Sequence, residues 1–285
     1  MSIQVKNISY IYNEGLPDET KAIDDISFDI SDGEFVGIIG HTGSGKSTLL
    51  QHLNGLLSPK EGQIIVGGTD ITAEGVSMLE VRRKVGLVFQ YPEYQLFEET
   101  VERDVAFGPK NLGISDEEIE ERVREAIELV GLDFDAVRDK SPFDLSGGQK
   151  RRVAIAGVIA MRPEVLILDE PTAGLDPQAH RDILQMIRNI HEGEMSIIIL
   201  VSHNMNDIAQ FSDRVLVIDE GRLVMNDTPR KIFARADELS EIGLGLPDVT
   251  RIMRKIKDRG LDVPTDIFTV FEAEQALGEL LGKTD

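Results

Sequence analysis

The chain has no cysteine and no tryptophan in 285 residues. Without thiols, disulfides and thiolate metal centres are excluded, which suits a reducing compartment. Positive charge is also scarce: 30 Lys and Arg face 51 Asp and Glu, for a net charge of −21. A surface this acidic repels phosphate backbones, which argues against nucleic acid as a partner. It repels anionic headgroups too, so work at a membrane would need a protein partner to hold the chain there. No apolar run approaches the roughly 18 residues of a spanning helix, and the opening MSIQVKNISY lacks the apolar core of a signal peptide. Internal repeats and low-complexity stretches are missing as well. What remains is 41% hydrophobic and 28% charged, an ordinary globular composition with room for one large core, or one large and one small.

Short β-branched runs read as strands: IQVKNISYIY, DISFDI (25–30), EFVGIIG (34–40), VGLVF (85–89), EVLILD (164–169) and SIIILVS (196–202). The third, fifth and sixth are almost continuously apolar, as in strands buried on both faces of a parallel sheet. The first two alternate and suit an antiparallel layer. RVLVIDEGRLVM reads as a hairpin turning at Glu220-Gly221. Between about residues 100 and 162 the period becomes helical. SDEEIEERVREAIELVGL has a Ser cap, an acidic first turn, a stripe of Ile119, Val123, Ile127 and Val130, and a stop at Gly131. A second helix is expected from about Gly148 to Met161. After about Ile232 the strands end. LPDVTRIMRKIKDRG and FEAEQALGELLG read as helices, and their apolar spacing favours a small appended domain, 236–285, over a disordered extension, following a main domain of 1–235.

GHTGSGKST, Gly40 to Thr48, fits the phosphate-loop pattern, with an apolar strand before it and a helical run after it. Gly40, Gly43 and Gly45 let backbone wrap a phosphate, and the N–H groups of His41, Thr42, Ser44 and their neighbours can point inward. The helix start adds its positive dipole end. Lys46 can reach the β- and γ-phosphates, and Ser47 can ligate Mg²⁺. VLILDE supplies two carboxylates at a strand end: Asp169 for Mg²⁺, and Glu170 to polarise the attacking water. Alone, such a pair is common at strand ends.

LSGGQ, Leu145 to Gln149, opens the helix QKRRVAIAGVIAMR, so Ser146, Gly147 and Gly148 form a second anion-binding helix start. Phosphate loop, LSGGQ and strand-ending DE in this order resemble the ATP-binding-cassette (ABC) ATPases over about residues 1–235. The resemblance implies an α/β fold with a mixed sheet core, an antiparallel β layer and an inserted helical subdomain. It also implies a sandwich dimer in which each ATP is held by one subunit's phosphate loop and the other's LSGGQ. Tyr12 matches the aromatic that stacks on adenine, with Tyr10 the nearby alternative. Gln90 matches the glutamine that touches Mg²⁺ and the attacking water. Asp176 in AGLDP matches the loop that crosses between subunits, and His203 in LVSHNM matches the γ-phosphate histidine.

The 11 Phe and 4 Tyr are unevenly spread, and FQYPEYQLF gathers Phe89, Tyr91, Tyr94 and Phe97 in nine residues. In ABC transporters the segment after the matching glutamine helps grip a cytoplasmic helix of the membrane subunit. Tyr91, Tyr94, Leu96 and Phe97 can supply the apolar anchor, and Glu93, Glu98, Glu99 and Glu102 would attract a basic helix. The alternative is rings that pack the joint between subdomains. PEYQLFEETVERDVAFGPKNLG, DEPTAGLDP and the tail GLGLPDVTRIMRKIKDRGLDVP are similar to the energy-coupling factor (ECF) transporter ATPases, nearer the second of the two paralogues, and to cobalt- and nickel-uptake relatives. That resemblance implies ATP and Mg²⁺ as cofactors and a paralogous ATPase as partner. It further implies a transmembrane coupling subunit, a substrate-binding membrane subunit, a peripheral place on the cytoplasmic face of the membrane, and vitamin or metal-ion uptake. A binding-protein-dependent importer, a soluble ABC ATPase and an ATP-binding switch are the competing readings.

Overall fold

The computed structural model describes residues 1–193 and 197–282. Ten strands and twelve α-helices follow in the order β1 (Ile3–Tyr12), β2 (Thr20–Ile30), β3 (Phe35–Ile39), α1 (Lys46–Leu53), β4 (Glu61–Val66), β5 (Thr69–Asp70), α2 (Met78–Lys84), β6 (Val85–Val88), α3 (Val101–Asn111), α4 (Asp116–Leu129), α5 (Phe134–Val137), α6 (Gly147–Ile159), β7 (Val165–Asp169), α7 (Pro177–Gly193), β8 (Ile197–Val201), α8 (Met205–Phe211), β9 (Arg214–Asp219), β10 (Arg222–Asp227), α9 (Pro229–Ala234), α10 (Ala236–Glu241), α11 (Asp248–Asp258) and α12 (Val270–Leu280). Ser196, expected to open the strand SIIILVS, lies outside the described residues.

Two sheets form. The antiparallel one runs β2-β1-β4-β5, and the other runs β10-β9-β3-β8-β7-β6. In the second, β9, β3, β8, β7 and β6 are parallel neighbours, and β10 is an antiparallel edge. The strands β3, β7 and β8 are buried at every residue. Because side chains alternate across a sheet, each strand feeds two cores. Leu166, Leu168, Ile198 and Leu200 pack against the helical side, whereas Val165, Ile167, Ile197 and Ile199 pack under the antiparallel sheet with α1. That two-sided demand explains the near-continuous apolar runs.

The helices α3 to α6 form the inserted block. Ile119, Val123, Ile127 and Val130 are buried in the main core, Ser115 caps α4 through Glu118 N–H, and Gly131 takes the left-handed turn at φ 74°. Toward the end of the chain, Ile232, Phe233 and Leu239 join the main core. A separate small core forms around Met253, Val263 and Ile267. Pro247 is the N-cap of α11. Among the described residues no helix is long and apolar enough to cross a membrane.

Candidate functional site

Parallel strands deliver their carboxyl ends to one edge of the sheet, the usual ligand edge of α/β folds. In register, Ile38 of β3 pairs with Val201 of β8, Asp169 of β7 pairs with Val201, and Val88 of β6 pairs with Leu168. The segments that follow therefore emerge together: Gly40 to Thr48, Gln90, Asp169-Glu170 and Ser202-His203. Residues far apart in sequence become neighbours because of strand order alone.

The loop after β3 is shaped by backbone demands. Gly45 sits at φ 104° and caps α1 with no side-chain hydrogen bond, leaving the helix start to other acceptors. Lys46 is 6% exposed. Its ammonium donates to the carbonyls of Gly40 and His41, both at 2.8 Å. Burial pushes this lysine below its usual range, while Glu170 and Asp169 pull it back up. The buried Ser44 hydroxyl has no hydrogen-bond partner. His41 Nε2 meets the Asp219 carboxylate at 3.0 Å, which ties the loop to β9.

Ser47 Oγ donates to Asp169 Oδ2 at 2.8 Å. Burial pushes the Asp169 carboxyl above the usual aspartate range, against the pull of Ser47, Lys46 and His203. Glu170 takes the left-handed φ of 49°, so the chain turns sharply just past β7. Its carboxylate is held from two sides, by Gln90 Nε2 at 3.0 Å and His203 Nε2 at 2.6 Å. A buried acid, a buried lysine and a bridged carboxylate thus share one strand edge. The Ser47–Asp169 pair is a hard-oxygen donor set that fits a small divalent cation, and a desolvated carboxylate gains from added positive charge.

Tyr12 O–H lies 3.3 Å from Thr48 Oγ1. Tyr10 instead packs edge-on against His52 and into the core beneath β1. The geometry sets Tyr12 on the rim of the loop and Tyr10 in its foundation. Ser146 N-caps α6 in a capping box with Gln149. Ser146 and Gly147 are exposed, and Gly147 has open space where a side chain would stand. Asp176 is also exposed, and its carboxylate accepts from Gln178 and Ala179 N–H at the start of α7. Those two backbone N–H groups hold its carboxyl below the usual range. The structure does not bring Ser146, Gly147, Gly148, Gln149 or Asp176 into contact with the phosphate loop of the same chain.

The aromatic stretch divides. Phe97 and the buried Leu96 line a groove of about 460 Å³ together with Leu56, Leu79, Phe89 and Phe107. Phe97 and Phe107 pack edge-to-face at 4.9 Å. Tyr91 and Tyr94 lie outside that lining, against each other at 6.0 Å. Leu96 is floor, 6% exposed, rather than an outward anchor. Glu93 is a further correction: it turns inward to pair with Arg151, because a buried guanidinium needs a counter-charge more than the surface does. Leu56, Leu79 and Phe107 were missed from sequence. Each sits beside other apolar residues (Leu57, Met78 and Ala106), and nothing in the sequence says which neighbour faces outward.

The ABC transporter family profile matches residues 23–173. The chain is 58% identical over 275 residues to the energy-coupling factor transporter ATP-binding protein EcfA2 of Caldanaerobacter subterraneus subsp. tengcongensis, covering 96% of both chains. It is 56% identical to EcfA2 of Clostridium tetani, covering 99% of this chain and 96% of the relative. The chain belongs to the energy-coupling factor transporter ATP-binding proteins. Among solved structures, cbiO1 from Clostridium perfringens, described as part of the ABC transporter complex cbiONQ, superposes with TM-score 0.75 at 36% identity, covering 90% of this chain and 98% of that one. A dimeric ATP-binding cassette in a post-hydrolysis state with ADP and Pi follows at TM-score 0.70 and 28% identity, covering 80% of this chain and 98% of that one. The mixed sheet, antiparallel layer and helical insertion are those of a phosphate-loop ABC cassette. ATP binding and hydrolysis, as the ATPase subunit of an ECF-type importer, follow from that membership.

Proposed function

We propose that this chain is one of two paralogous ATPases on the cytoplasmic face of the cell membrane, driving uptake of vitamins or other micronutrients through a transmembrane coupling subunit. The observation that carries the chemistry is Glu170, fixed between Gln90 and His203 at the strand edge that also holds Lys46 and the Ser47–Asp169 pair. Glu170 accepts a proton from the attacking water, a contribution of about 10²–10⁴ in rate. Gln90 positions that water, and His203 bonds the γ-phosphate. Lys46 and the loop N–H groups from His41 to Thr48 bind the phosphates, and Tyr12 stacks on adenine. Ser47, Asp169 and Gln90 would hold Mg²⁺, which supplies neutralising charge on the phosphates.

The second half of each site comes from the paired ATPase. Ser146, Gly147 and Asp176 are exposed, Gly148 and Gln149 half-buried, and none of them meets the phosphate loop of its own chain, which suits contact with nucleotide across a dimer. The exposed Val270, Phe271 and Leu281 on and beyond α12 suit the same pairing. The groove beside Phe97 and Phe107 suits an apolar helix of the coupling subunit, and a separate membrane protein selects the substrate. Two measurements test this. Glu170→Gln should abolish phosphate release while ATP still binds; unchanged turnover refutes the assignment of the base. Phe107→Asp should stop a membrane protein from co-purifying with the tagged chain; undiminished capture refutes docking at the groove.

A further inference from the structure

Arg151 is the largest fully buried side chain among the described residues, 1% exposed, on the helix that LSGGQ opens. Its Nε and Nη2 fork onto Glu93 at 2.9 and 2.6 Å. Its Nη1 donates to the carbonyls of Pro171 and Ala173 at 3.0 and 2.7 Å. One guanidinium therefore spans three segments: the aromatic turn after Gln90, the signature helix, and the turn just past Glu170. That last turn is closed by Ala173 N–H donating to the Glu170 carbonyl at 3.1 Å. It leads directly to Asp176.

A second contact runs parallel to this one. Tyr91 holds a left-handed φ of 55°, and a Cβ on Gly174 would meet its ring at 3.5 Å. The Arg151 guanidinium also lies 5.9 Å from the centre of that ring. Neither side of the assembly can slide without a cost, because moving Glu93 away strands a buried cation and moving the Pro171–Ala173 turn orphans two of its donors. Planar fork geometry makes the link directional, which a lysine could not reproduce.

We infer that Arg151 is a positioning residue that mechanically couples the aromatic turn at 91–97 to the turn carrying Glu170, so that displacement of one resets the other. A residue serving only to fill the core would have no reason to place one half of its fork on each of two site-bordering turns.

The test is Glu93→Gln in the full chain, purified with its paired ATPase and no membrane subunit, so that the outcome is independent of what fills the groove. Two readouts are taken: amide hydrogen exchange by segment, and turnover against ATP affinity. Glutamine keeps one acceptor for Arg151 but releases the charged fork. Exchange should quicken at 171–176, the segment that Arg151 links to Glu93. Turnover at saturating ATP should fall about tenfold or more, since small misplacements of catalytic groups are costly, with ATP affinity held within about twofold. Glu93→Asp, which keeps the charge, should recover part of the turnover and serves as the working variant if Glu93→Gln folds poorly. Faster exchange confined to 91–97, or turnover at the wild-type level, overturns the coupling.

Discussion

Two glycines of the phosphate loop make an internally controlled prediction. Gly43 and Gly45 both sit at left-handed φ, 82° and 104°, but a side chain at Gly43 meets nothing within 4 Å. One at Gly45 would land on the carbonyl oxygen of Ala22 in β2, roughly 1 Å too close for van der Waals contact. The Gly221 turn lies against the same oxygen, close enough that a Cβ at Gly221 would reach it at 2.9 Å. The hairpin at Gly221 is itself tied to the loop by its N–H to Ser44 O at 3.0 Å, and to β2 by Asp24 N–H to Gly221 O at 2.8 Å. Alanine at either site pays about 1–2 kcal/mol for left-handed φ, less about 0.4–1 kcal/mol from a stiffer unfolded chain. Gly43→Ala should therefore cost about 1 kcal/mol. Gly45→Ala adds about 1–3 kcal/mol of overpacking, for about 2–4 kcal/mol in all. At about 2–4 °C per kcal/mol for a chain of this size, nucleotide-free thermal melts should fall by about 2–4 °C for the first variant and at least twice that for the second. Equal shifts, or a milder Gly45→Ala, would refute the idea that β2 backs the loop.

The tyrosines should separate cleanly. Tyr12→Ala should weaken ATP binding by the value of one stacked base, about 1–3 kcal/mol, with little change in melting temperature, whereas Tyr10→Ala should lower the melting temperature and leave affinity nearly intact; reversed roles in a titration would move the adenine contact to Tyr10. Asp169→Asn should stabilise the nucleotide-free chain at pH 7.5. Burial raises the folded carboxyl above its unfolded value, so its charged form costs stability at all pH above that folded value. The gain should vanish as pH falls toward 3.8, the unperturbed value, and the extra melting temperature conferred by Mg²⁺ and ATP should be lost; an unchanged or lower melting temperature at pH 7.5 would sink this.

The parallel core was legible because strands buried on both faces cannot hide their composition, and β7 and β8 read directly as VLILD and IIILV. The residues gathered at the strand edge were legible for a related reason: the phosphate loop, Gln90, Asp169-Glu170 and His203 lie at or just past strand ends, and register then brings them together. The strand β4 escaped because only three of its six residues are apolar and it opens with Glu-Gly. The 17-residue α7 was passed over although Ile183, Leu184, Ile187 and Ile190 give it a buried stripe, since LDP-initiated polar sequence masks its first turn. The groove was legible only at Leu96 and Phe97, because Leu56, Leu79 and Phe107 join them only through packing between elements. Arg151 was invisible for a different reason. In KRR it looks like solvated charge, and only the inward turn of Glu93 makes a buried guanidinium affordable.

These misses share a cause that bears on how the protein works. Period and composition report what a residue does for its own element, whereas Arg151, Glu93 and the groove residues act between elements. The catalytic edge shows the same division. Asp169 and Lys46 are each pushed toward neutrality by burial and each partly rescued by the other, so the site's own side chains carry an electrostatic cost that the strands do not need. A site held in that state gains most when phosphates and a cation arrive together, because each relieves one of the two charges. Nucleotide binding can then shift the balance between arrangements of the turns around Glu170, and the Arg151 fork is placed where such a shift would reach the aromatic turn and the groove beyond it.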